Sequence, residues 1–126
     1  MSNRFFRHIL ANGLIFIHDG GEWTAPDVDG IGTFWRSDTC VIVSCLPHSE
    51  GATSIEVGES DEVRHSPHKI FDDWLDTPSG KIRIEGVEID EITSFAVPAA
   101  RTRLIIWTDG HKCSEFVSIG VSLRQE

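Results

Sequence analysis

The chain has 126 residues, room for one hydrophobic core and too short for a second, and its 40% apolar content with four Trp and seven Phe excludes a disordered polymer. Twenty acidic against 11 basic residues leave a net charge of −9, the wrong sign for a nucleic-acid or anionic-membrane partner, which needs cations facing phosphate. No apolar run approaches the about 20 residues that cross a bilayer, which excludes a membrane-spanning helix.

The first segment, MSNRFFRHILANG, has the arginines and apolar residues of a leader peptide. His8, Asn12 and Gly13 interrupt it before an apolar core forms, and no small-x-small cleavage site follows, so the expectation is a soluble, cytoplasmic protein. From there the turn signals recur every eight to twelve residues, and the runs between them alternate with period two. That spacing predicts an all-β fold.

In chain order, strands are expected at Phe5 to Leu10, Leu14 to His18, Thr33 to Arg36, Cys40 to Leu46 and Thr53 to Val57. Asn12-Gly13 is a hairpin signal between the first two, and Ala25 to Gly32 is the longest loop. Cys40 to Leu46 is apolar on both faces, as a central strand covered on both sides would be; it puts Cys40 and Cys45 on opposite faces, where they cannot pair. Three cysteines read as buried thiols of a reducing compartment.

The segment HKIFDDWLD is ambiguous. Ile70, Phe71, Trp74 and Leu75 recur at helical spacing, but Pro67 and Pro78 leave room for only about two turns, and a bulged or edge strand fits equally. After the turn Thr77 to Gly80, the run Lys81 to Glu85 puts two isoleucines on one face and three charges on the other. Further strands follow at Glu91 to Val97, Thr102 to Trp107 and Glu115 to Leu123, with Thr102, Leu104 and Ile106 on the core face of the second. The fold expected is a single antiparallel β-sandwich domain of about eight or nine strands.

Chemistry-bearing motifs are sparse. Nucleophile elbow, phosphate-cradling glycine loop and His-Glu-x-x-His are all missing, so the sequence supports no enzyme and implies no cofactor. His65, His68, His111 and Cys113 are the residues a metal- or small-ligand-binding domain would use; a structural zinc needs four such ligands, and the spacing here reads as loops and turns. Asp27-Val-Asp29-Gly30 lacks the third acid and distal Glu of an EF-hand and reads as an acidic turn.

The charge is uneven: from Glu50 to Glu91 twelve acids face four bases, so this segment carries −8. Within it Trp74 and Phe71 stand among Asp72, Asp73 and Asp76, the pattern of an aromatic hot spot inside a charged rim. The expected contact surface for a basic protein partner is therefore Glu59, Asp61, Glu62, Asp72, Asp73, Trp74 and Asp76. Pairing of exposed strand edges with a second copy is a further expectation.

The series SGKIRIEG, then EITSFAVPAARTRLIIWT, resembles the later strands of competence protein J-like sequences, with Ile82, Ile84, Phe95, Pro98 and Trp107 in the matching places. The likeness covers about a third of the chain and is carried by ordinary β residues. It implies a small β-sandwich of a family whose founding member inhibits a DNA-entry nuclease, and it assigns no catalytic residue.

Overall fold

A computed structural model describes residues 1–123. Among them are ten strands: β1 Arg4–His8, β2 Leu14–Asp19, β3 Phe34–Arg36, β4 Cys40–Ser44, β5 Thr53–Glu59, β6 His68–Asp76, β7 Lys81–Gly86, β8 Thr93–Ala96, β9 Arg101–Thr108 and β10 Phe116–Ser122. The expectation of eight or nine was short by one or two, because the ambiguous segment HKIFDDWLD adds a strand, β6, to those read from alternation. The other regular pieces are two single 3-10 turns, Ala11–Gly13 and His48–Glu50. No helix among the described residues is long and apolar enough to cross a membrane.

The strands form two five-stranded sheets, sheet A in the order β1-β5-β10-β9-β6 and sheet B in the order β3-β4-β2-β7-β8. Every ladder is antiparallel except one: β5 and β10 run parallel, Ile55 beside Val117 and Val57 beside Ile119. Alternation along each strand sends one set of side chains inward. Ile15, Ile17, Val41, Val43, Ile82 and Ile84 from sheet B meet Ile55, Val57, Leu75, Leu104, Ile106, Val117 and Ile119 from sheet A in one buried cluster. Each such aliphatic side chain contributes about 1.5–3 kcal/mol on leaving water.

HKIFDDWLD is strand β6, with an irregularity between Lys69 and Phe71. It lies at the edge of sheet A, with a partner on one side only. A helix would turn Phe71, Trp74 and Leu75 to one face, but Phe71 and Leu75 are buried while Trp74, adjacent to Leu75, points out and is 44% exposed, as alternation along a strand requires. The extended backbone is held by eight cross-strand positions on β9.

Asn12-Gly13 does not close a hairpin. Both residues take positive φ, as such a turn requires (58° and 61°), but β1 joins sheet A while β2 joins sheet B. Gly13 is fixed from outside: its carbonyl accepts from Cys45 N at 2.6 Å, and a Cβ there would lie 2.7 Å from the Cys45 carbonyl oxygen. The turn thus carries the chain from one sheet to the other. The C-terminal strands are likewise antiparallel pairs divided between sheets, β7 with β8 and β9 with β10.

The outer faces are partly roofed by loops. The segment between β5 and β6 passes over sheet A, where His65 stacks on Trp107 with ring centroids 4.2 Å apart and a Cβ on Gly120 would meet Ser60 Cα at 2.7 Å. On sheet B, Trp23 stacks on the buried ring of His18 at 4.0 Å and meets Phe16 edge-on. This explains why Cys40, Ile42, Trp107 and Ser118, all on outward positions, are nevertheless buried.

Candidate functional site

The residues expected to contact a partner fall into two places. Asp72, Asp73, Trp74 and Asp76 lie on edge strand β6, while Glu59 ends β5 and Asp61 and Glu62 follow it. In sheet A, β10 and β9 stand between β5 and β6. The acidic segment is one stretch of sequence and not one patch.

On β6 the acids meet cations from the neighbouring strands. Asp72 accepts from Arg103 Nη2 at 2.7 Å and from Lys69 Nζ at 3.1 Å. Slight desolvation works against ionisation, but these two hydrogen bonds hold its carboxyl below the usual carboxylate range. Asp73 pairs with Arg36 of β3 at 2.9 Å. Trp74, 44% exposed, carries the Arg101 guanidinium 4.4 Å from its ring centroid. Three acids, Asp72, Asp73 and Asp76, therefore share this edge with four bases, Arg36, Lys69, Arg101 and Arg103. Asp61, Glu62 and Asp76 make no ion pair among the described residues, and Glu59 lies 3.7 Å from the amino terminus.

The histidines and cysteines stay separate. Among the described residues no group of three or more His, Cys, Asp or Glu forms at metal-binding range. His65 Nε2 lies 2.5 Å from the Ser60 carbonyl, and the His68 ring packs against Gly110. In the turn before Cys113, Asp109 accepts from His111 N at 3.0 Å and Glu115 N at 2.8 Å, so the His-Lys-Cys stretch is an aspartate-organised loop. Asp29 uses one oxygen to accept from Ile31 N, Gly32 N and Trp35 Nε1, and those bonds, the backbone pair foremost, hold its carboxyl below the ordinary range. Burial, with Glu85 adding to it, pushes the Cys40 thiol up to about 12, the opposite of an activated nucleophile.

Sequence reasoning missed a groove of about 580 Å³ on the outer face of sheet A, at the edge opposite β6. Arg7 of β1, Ser54 of β5 and Phe116 of β10 form one cross-strand row; Phe5 and Glu56 belong to the next. Phe5 is 72% exposed, and the Arg64 guanidinium stands 4.4 Å from the centroid of Phe116. The floor carboxylate, Glu56, is occupied: one oxygen takes Arg64 N at 2.9 Å, the other Asn3 Nδ2 at 3.0 Å. Arg7 and Arg64 side chains make no ion pair or hydrogen bond among the described residues. The alternation of Phe5 and Arg7 marks their shared face in the sequence, but Arg64 and Phe116 arrive only through the fold.

The arrangement is that of a two-sheet all-β domain with a charge-matched tryptophan on one open edge and an aromatic-arginine groove by the other. No family model matches the chain, and comparison with curated proteins and with solved structures returns no significant match.

Proposed function

We propose that the protein is a non-catalytic binding domain, a β-sandwich whose contact surface for another protein centres on Trp74 of edge strand β6. The single observation that carries this reading is the exposed Trp74 ring, backed by Arg101 and flanked by the Arg103–Asp72 and Arg36–Asp73 pairs. A rigid aromatic beside arginines inside a hydrated rim is the composition of interface hot spots. The sandwich reading is supported by the shared core cluster and by arginine bridges between the sheets at both edges.

A basic partner, for example a nuclease held by an inhibitor, is the second part of the proposal. The net charge of −9 supports it, together with Asp61, Glu62 and Asp76, which are free to face a cation. The resemblance to competence protein J-like sequences points the same way. Because Asp72 and Asp73 already have internal partners, this charge acts on encounter rate and the tryptophan on residence time.

The test is affinity capture from the native cell lysate at low and high salt, comparing the wild type with Trp74→Ser and with a triple Asp72→Asn, Asp73→Asn, Asp76→Asn variant. One basic protein retained by the wild type and lost with Trp74→Ser is the expected result. Equal retention by all three proteins removes β6 as the contact.

A further inference from the structure

We propose that the groove between β1 and β10 binds a small organic anion with an apolar body, its charged head between Arg7 and Arg64 and its body against Phe5 and Phe116. This site lies across sheet A from Trp74 and does not depend on the β6 reading.

Charge is the first argument. In a chain with 20 acids, guanidinium groups readily find carboxylates, and Arg36, Arg83 and Arg103 do so. Arg7 and Arg64 border the same groove and find none. Glu56, the acid in the lining, is buried beneath them and spends both oxygens on amide donors, so the lining has two cations to one anion. Each guanidinium is a planar fork of donors that suits a carboxylate, and here two border one groove with their donors unspent.

Shape is the second. The groove is lined by Phe5 and Phe116, with Ser54 and Glu56 of β5 on its floor, and falls within the size range of pockets for small ligands. Arg64 already lies on the face of Phe116, so it is held near the position a bound head group would need. Phe5 is the most exposed phenylalanine of the fold's large apolar residues left in water, and an apolar body laid on it would remove that surface from solvent. A peptide added along β1 would instead use the backbone edge and leave Arg64, on the far side of β5, without a role.

The experiment is an amide-resolved NMR titration of the intact protein with naphthylacetate and, separately, with naphthylacetamide, which has the same body and no charge. Saturable shifts confined to β1, Ser54 to Glu56, Arg64 and Phe116 are expected with the acid, and binding about tenfold weaker with the amide. Arg64→Gln and Arg7→Gln each weaken the acid by about tenfold, and Phe5→Ser weakens both compounds. All three side chains are exposed, so these variants keep the core. No saturable shift at about 1 mM, a dissociation constant too weak to represent a site, overturns the proposal. Equal binding of acid and amide overturns the anion, and saturation only by an acidic peptide, with shifts along the β1 backbone, replaces the small ligand with strand addition.

Discussion

Arg36 and Asp73 tie the two sheets together at one open edge: the guanidinium donates to Asp73 Oδ2 at 2.9 Å and to the Trp74 carbonyl at 2.9 Å, while lying 5.3 Å from the ring centroid of core Phe71. Arg4 does the same at the opposite edge, donating from β1 to Thr93 Oγ1 at 2.7 Å and the Ser94 carbonyl at 2.8 Å, with its guanidinium 6.0 Å from the centroid of Phe95. Each closes a rim where two edge strands would otherwise part and wet the core. Arg36→Ala and Arg4→Ala are each expected to cost about 1–2 kcal/mol, less than a buried pair because both sites are partly in water. Sitting at opposite edges, the two should add within about 0.5 kcal/mol in a double variant, as urea unfolding would measure.

The three thiols should divide by burial. Cys40 and Cys45 are buried and Cys113 is half-exposed, so a thiol reagent at neutral pH is expected to label Cys113 quickly and the other two only on unfolding. Burial pushes both Cys40 and Cys45 up to about 12. A raised folded-state pKa gives stability that is complete below the unfolded thiol value of about 8.5 and is lost as pH rises toward the folded value. Thermal melts should therefore fall between about pH 9 and 12, and a Cys40→Ala, Cys45→Ala variant should fall less steeply over the same range.

Gly120 is held by close approach. An added Cβ would lie 2.7 Å from Ser60 Cα and 3.0 Å from Trp107 Cζ3, and neither the backbone nor the stacked indole can easily withdraw. Gly120→Ala is expected to cost about 1–3 kcal/mol and to lift the loop off the sheet, changing the near-ultraviolet signal of Trp107. An unchanged signal with unchanged stability would show that the loop yields freely.

Asp72 titrates low because Arg103 and Lys69 donate to it. A depressed folded-state value gives stability that is present above the ordinary carboxylate range, near 4, and is lost as pH falls through the folded value. Arg103→Gln should bring the Asp72 carboxyl resonance back toward an ordinary titration, with a small effect on stability at neutral pH because the pair is exposed to solvent.

The strands themselves were legible, since period-two alternation is a local property: Ile82 and Ile84 face the core with Lys81, Arg83 and Glu85 outward, and Cys40 to Val43 is buried on both faces of β4. Asn12-Gly13 displays the limit. Its positive φ is encoded on the spot, but whether the flanking strands pair was decided by Gly13 meeting Cys45, far along the chain. The acidic segment failed as a patch for the same reason. Register on β9 sets Arg103 beside Asp72 and Arg101 near Trp74, and β3 brings Arg36 to Asp73. Formal charge is read from the sequence; which cation faces it belongs to the topology.

The parallel pairing of β5 with β10 orders events in time. β5 ends at Glu59, and the strand that completes its other flank starts only at Phe116, after both sheets have received all their other members. Until β10 is in place, the β1–β5 pair has one unfilled side, where Ile55 and Val57 lack their neighbours Val117 and Ile119. Pairings so distant along the chain make folding slow and leave sticky edges open meanwhile. β10 is thus the strand that joins the β1–β5 pair to the β9–β6 pair, and without it sheet A would fall into two halves.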